Sequence, residues 1–148
     1  MDIHEYQAKA LLDDFGVPIP PGGLAYSPEQ AQYRASEIGG EHWVIKAQVH
    51  TGGRGKAGGI RLCQSEQEVW TAADEMLGSR LVTNQTGPRG RGVYRLYVES
   101  VADIEREIYL GFVLDRATER VMLVASAAGG MEIEQIAEED PGSMIRVV

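Results

Sequence analysis

The segment His50-Thr51-Gly52-Gly53-Arg54-Gly55-Lys56-Ala57-Gly58-Gly59 most constrains what this chain can become. Five of its glycines and two of its cations fall between residues 52 and 59. It lies between two β-like runs, Trp43 to Val49 and Ile60 to Cys63. Glycine lets a backbone approach a ligand closely and turn its N–H groups toward it. Arginine and lysine add fixed positive charge, so the composition describes a loop suited to phosphate oxygens.

Three phosphate-loop templates can be compared with it. The Walker loop ends in Gly-Lys-Ser/Thr, but Gly55-Lys56 is followed by Ala57, and position 50 is His50. The dinucleotide spacing Gly-x-Gly-x-x-Gly is met by Gly53, Gly55 and Gly58. That template needs a helix to open at the loop, so that the pyrophosphate meets the helix N-terminus. Here Ile60-Arg61-Leu62-Cys63 comes next, and a helix signal waits until Ser65. The third template, a glycine-rich hairpin joining two strands over a nucleotide, fits best; protein kinases use that geometry. In the first strand, Trp43, Ile45, Ala47 and Val49 alternate with Val44, Lys46, Gln48 and His50. Lys46 therefore lies mid-strand beneath the loop, where its ammonium can hold a phosphate as a point charge. The competing reading is a flexible hairpin with solvated charges and Lys46 on an exposed sheet face.

The chain has 148 residues, 43% of them hydrophobic, enough for one globular domain with a core. A net charge of −8 argues against a nucleic-acid surface. There is no apolar run of membrane-spanning length and no signal peptide, and the single Cys63 fits a reducing, cytoplasmic setting. Cys63 reads as a small buried hydrophobe, and three scattered histidines give no metal-ligand spacing.

Helices are expected from Asp2, with a capping-box pair to Glu5, up to Gly16; from Ser27-Pro28 to Gly39; and from Ser65, with Glu68, to Gly78. Residues 79–92 read as a polar loop, and Val93 to Glu99 as a strand with Tyr94, Leu96 and Val98 on one face. Glu107 to Asp115 and Arg120 to Ala125 read as an antiparallel hairpin. An acidic helix is expected at about 131–139, and Met144 to Val148 reads as the opening of a strand, the mark of a longer protein. The mixed order lacks strict βαβ alternation and points to an α+β fold. Glu99 and Glu107, at strand ends, are candidates for accepting ribose hydroxyls, although spacing alone favours solvated charge.

His4-Glu5-Tyr6-Gln7-Ala8-Lys9, Lys46-Ala47-Gln48-Val49-His50, Gly53-Arg54-Gly55-Lys56-Ala57-Gly58-Gly59, Leu81-Val82-Thr83 and Tyr109-Leu110-Gly111 occur in this order. Over its whole length the chain resembles the succinate–CoA ligase (succinyl-CoA synthetase) β-subunit family. The malate–CoA ligase β subunit is a close relative of that family. Asp2-Ile3-His4-Glu5 and Gly59-Ile60-Arg61-Leu62-Cys63 are at least as similar to it.

The resemblance implies the N-terminal part of an ATP-grasp fold, whose two α+β lobes hold ATP or ADP. It assigns about 21–102 to the small lobe, and 1–20 and 103–148 to part of the larger one. It places a phosphate-binding lysine at Lys46, the phosphate loop at Gly53, Arg54 and Gly55, the purine-contacting connection at Glu99 to Ala102, and a ribose-binding glutamate at Glu107. It thereby overrides the solvated-charge reading of Glu99 and Glu107. Magnesium ligands fall beyond residue 148, and a phosphohistidine belongs to a partner α subunit, so His4, His42 and His50 take no such role. The implied reaction joins a carboxylic acid to coenzyme A, with ATP giving ADP and phosphate. A fragment without the metal ligands is expected to show no turnover. A non-catalytic binding module is the alternative of another class, and an NAD-binding domain the third.

Overall fold

The computed structural model describes residues 3–129 and 141–148, so the acidic helix expected at about 131–139 lies outside the described residues. The chain divides into two compact units, Met1–Ala102 and Asp103–Val148.

In the first unit, β2 (Trp43–Ala47) and β3 (Ile60–Cys63) are antiparallel neighbours joined by the glycine loop. They extend a four-stranded sheet of order β1-β6-β2-β3, with β1 at Gly22–Ala25 and β6 at Leu96–Ser100. Every neighbouring pair in it is antiparallel. The alternation expected of β2 holds, since Trp43, Ile45 and Ala47 are buried while Val44 and Lys46 are only partly covered. On β6, Leu96 and Val98 stand opposite Ala47 and Ile45 and share their face. Two helices, α2 (Pro28–Ile38) and α3 (Glu66–Met76), cover that face with Ala31, Ala35, Val69, Ala72, Ala73 and Met76.

Both helices start where their caps predict. The Ser27 hydroxyl accepts from the Gln30 N–H at 3.2 Å, and the Gln30 side chain accepts from the Tyr26 N–H at 2.9 Å. Ser65 and Glu68 form the same reciprocal pair at α3. Each pair satisfies helix-end donors that would otherwise lack partners.

Helix α1 (Glu5–Asp14) departs from expectation at its start. His4, not Asp2, is the N-cap, and its N–H donates to Gln7 Oε1 at 2.8 Å. Glu5 is not a capping residue, and its carboxylate is engaged by Lys46 on β2 and Arg54 in the glycine loop. No residue of α1 is buried. The strand β6 is shorter at its start than the alternation from Val93 suggests. Val93 instead exchanges backbone hydrogen bonds with the turn after α3, donating to Ser79 and accepting from Gly78. Tyr94 is accordingly exposed, not aligned with Leu96 and Val98. A two-residue ladder, β4 (Arg80–Leu81) with β5 (Arg91–Gly92), closes the 79–92 segment.

The second unit is a three-stranded antiparallel sheet of β7 (Tyr109–Asp115), β8 (Arg120–Ser126) and β9 (Ile145–Val147). The expected hairpin is present. Asp115 shapes its turn by accepting from the Ala117 N–H and the Thr118 hydroxyl, the latter holding its carboxyl below the ordinary value. Leu110, Phe112 and Leu114 are exposed along β7.

Candidate functional site

The register of β2 and β6 places Lys46 opposite Tyr97 and Val44 opposite Glu99, on the sheet face away from α2 and α3. A carboxylate at Glu99 would be solvated if β6 were an edge. It is 4% exposed because β6 is an interior strand of the sheet and α1 lies over this face. The solvated-charge reading of Glu99 is therefore wrong, and so is that of Lys46.

Glu5 and Lys9 stand one helical turn apart on α1 and share one side of it. That side meets the polar face of the sheet. Lys46 Nζ donates to Glu99 Oε2 at 2.5 Å and to Glu5 Oε1 at 3.0 Å. Lys9 Nζ pairs with the other Glu99 oxygen, Oε1, and also lies over the Tyr97 ring. Arg54 Nη2 donates to Glu5 Oε2 at 2.7 Å, while its Nη1 donates to the Ala47 carbonyl at 2.8 Å. The result is one continuous chain of charge, Arg54–Glu5–Lys46–Glu99–Lys9. Three cations stand against two carboxylates, all with side chains no more than 19% exposed. Gln48 adds two fixing bonds, from its Nε2 to Glu5 Oε2 and from the Tyr6 N–H to its Oε1.

Burial pushes the Glu5 carboxyl up, but the Lys46 and Arg54 charges outweigh it and hold the group below its ordinary value of 4.5. A depressed carboxyl contributes stability that is complete above its unfolded value and lost as pH falls through its folded value. The stability difference between the chain and Glu5→Gln should therefore be full above pH 4.5 and shrink below it. Urea unfolding at a series of pH values measures this; a difference independent of pH would show that the carboxylate charge is not what Lys46 and Arg54 hold. Burial pulls the Lys9 ammonium down, with Lys46 adding to the effect.

The glycine loop is anchored from two sides. Gly53 and Gly58 adopt φ of 66° and 77°, a region that side chains with a Cβ rarely enter. A Cβ on Gly59 would come within 2.8 Å of the Leu81 side chain and 3.2 Å of the Arg54 carbonyl. The segment after β4 grips the loop's opening, where Gln85 Oε1 accepts from the Gly52 N–H at 2.7 Å and the Thr51 and Thr83 hydroxyls meet at 2.5 Å. His50 stacks on His4, with ring centroids 3.9 Å apart. Burial first, then His50, lowers the His4 imidazole below its ordinary value.

Of the residues singled out from sequence, Lys46, Arg54 and Glu99 come together through side chains, with Gly53 and Gly55 in the loop above them. Ala102 follows β6 and is exposed. Glu107 belongs to the second unit, where it is exposed and its carbonyl accepts from the Gly129 N–H. Sequence reasoning missed Glu5, Lys9, Gln48 and Gln85. The opposite charges of Glu5 and Lys9 at i and i+4 were a usable signal; nothing in the spacing of Gln85 points to the loop.

A sequence model of the ATP-grasp domain matches residues 2–148. The chain belongs to the ATP-grasp family. Relatives include a Mesorhizobium japonicum protein named "Probable malate--CoA ligase subunit beta", 66% identical over 99% of this chain and 37% of its own length. A Nautilia profundicola succinate–CoA ligase [ADP-forming] subunit beta is 54% identical over 99% of this chain and 38% of its own. The chain thus spans 37–38% of the length of these relatives. Among solved structures, the dinucleotide forming acetyl-coenzyme A synthetase 1 of Ca. Korarchaeum cryptofilum, in complex with coenzyme A, Ca-AMPCP and HgCl+, superposes with a TM-score of 0.65. It is 22% identical, over 84% of this chain and 53% of that one, a likeness that shows the fold. The α+β ATP-grasp architecture expected from sequence is therefore established, with the cationic cluster on the polar face of its four-stranded sheet.

Proposed function

We propose that this chain is the N-terminal, nucleotide-holding part of the β subunit of an ADP-forming acid–CoA ligase acting on a four-carbon dicarboxylic acid. The observation that carries this reading is the convergence of Lys46, on β2, and Arg54, in the glycine loop, where the two cations already bind both oxygens of one anionic group. That arrangement suits phosphoryl oxygens, which take the same charge-assisted bonds. In this reading Lys46 and Arg54 neutralise polyphosphate charge, Gly53 and Gly55 bring backbone close to it, and Glu99 to Ala102 border the purine. Glu107 accepts from the ribose, a role carried by family resemblance rather than by a distance. The lobe division, with 21–102 as the small lobe and 1–20 and 103–148 in the larger, belongs to the same proposal.

The whole reaction would consume ATP, coenzyme A and the acid and release ADP, phosphate and acyl-CoA, by way of a phosphohistidine on an α subunit, in the cytoplasm. Phosphoryl transfer of this kind depends chiefly on positioning and electrostatics. The higher identity with the malate–CoA ligase relative favours malate over succinate. Magnesium would neutralise phosphate charge, but among the described residues no three His, Cys, Asp or Glu side chains gather to hold a metal. Glu5 and Glu99 are each engaged by cations, so these residues do not fit a magnesium site. Among the described residues no helix is long and apolar enough to cross a membrane.

Calorimetric titration of ADP into the chain and into Lys46→Ala tests the reading. Loss of one charged hydrogen-bond donor to phosphate costs about 1.5–3 kcal/mol, so the variant should bind roughly ten- to a hundred-fold more weakly. Equal affinity would remove Lys46 from the nucleotide site.

A further inference from the structure

Glu5 is in none of the roles above, yet it holds both cations the nucleotide reading relies on. Its Oε1 accepts from Lys46 at 3.0 Å and its Oε2 from Arg54 at 2.7 Å, one oxygen per cation. A phosphoryl group presents the same two-oxygen edge to the same donors. We propose that the Glu5 carboxylate is an internal competitor for the polyphosphate site: it occupies the phosphate positions on Lys46 and Arg54, and a bound polyphosphate displaces it.

Three features make displacement feasible. Helix α1 buries no residue, and its start is held by polar pairing, which an anion can replace, together with the His4–His50 stack, which does not involve the Glu5 carboxylate. Lys46 keeps a second partner in the buried Glu99, so releasing Glu5 does not release the lysine. Arg54 likewise keeps its bond to the Ala47 carbonyl. Gln48 Nε2 sets the carboxylate in place but also donates to the Lys46 carbonyl, so it too remains bonded after Glu5 leaves. Displacement couples the polyphosphate site to the position of α1, and such coupling is reciprocal: whatever draws Glu5 away from the sheet tightens polyphosphate binding by the same factor. The inference rests on the assignment of Lys46 and Arg54 as phosphate-binding cations.

Pyrophosphate and ADP are titrated into the chain, Glu5→Gln and Lys46→Ala. Glu5→Gln keeps the side-chain volume and removes the competing charge, and pyrophosphate should bind it about ten-fold more tightly, or about 1.4 kcal/mol. Equal or weaker binding, or no binding to either protein, overturns the proposal. Because removing a negative charge favours any anion, displacement itself is read separately in the unsubstituted chain, from the Cδ resonance of Glu5. With pyrophosphate its titration midpoint should rise toward the ordinary value of 4.5, since the carboxylate has lost its cations. A midpoint unmoved by pyrophosphate overturns displacement, and this reading stands even if Glu5→Gln fails to fold. ADP binding weakened by Lys46→Ala but unaffected by Glu5→Gln would sink the competitor and leave the nucleotide site standing. Pyrophosphate bound more tightly by Glu5→Gln and more weakly by Lys46→Ala, with ADP indifferent to Lys46→Ala, would sink the nucleotide reading and leave the competitor standing.

Discussion

Replacing Glu99 with alanine is expected to destabilise the chain by about 3–5 kcal/mol, the usual result of removing one partner from a buried ion pair. Its side chain is 5% exposed and lies between two ammonium groups, Lys9 on α1 and Lys46 on β2, themselves 16% and 19% exposed. Without it, Glu5 is the one carboxylate left in the chain of charge, already shared between Lys46 and Arg54. Lys9 would then face Lys46 across a poorly solvated gap. Glu99→Gln, which keeps hydrogen-bonding capacity, should lose less. Urea unfolding with linear extrapolation measures both. A loss below about 1 kcal/mol for the alanine variant would place these charges with ordinary surface pairs.

The second large effect lies on the opposite face of the same strand. Ile45 is fully buried between the sheet and its helices, next in sequence to Lys46. Ile45→Ala removes three carbons from a site closed in by α2 and α3 and should cost about 2–5 kcal/mol, depending on how far the core relaxes into the cavity. Leu62, 58% exposed on β3, is the matched control. Its replacement by alanine should stay within about 0.5 kcal/mol. Similar losses at the two positions would contradict the assignment of the core to one face of the sheet. Because β2 carries core on one side and the cationic cluster on the other, Ile45→Ala should also weaken ADP binding without touching the ligand.

What could be read from the sequence was what is local. The Ser27 and Ser65 caps, the β2–glycine loop–β3 hairpin and the β7–β8 hairpin depend on neighbouring residues, and all were foreseen. Lys46 was legible because strand alternation separates its face from that of Ile45. Glu99 was not legible from spacing. Its burial follows from β6 pairing with both β1 and β2, where Glu99 stands opposite Gly22 and Val44, residues far apart in sequence that periodicity does not bring together. Its burial between Lys9 and Lys46 is what overturns that reading. Glu5 was misread for a related reason: a glutamate near a helix start fits a capping box, but its partners lie 41 and 49 residues away. A local rule gave way to a stronger long-range electrostatic one.

The central claim is that a nucleotide binds beneath the glycine loop, and resonance-by-resonance mapping of ADP onto the backbone amides tests it most directly. The largest shifts should fall on Gly53, Arg54, Gly55 and Lys46, with a second group from Glu99 to Ala102. Shifts gathered instead along the cleft between β3 and α3, lined by Arg61, Cys63, Glu68 and Glu75, or no shifts at all, would contradict it.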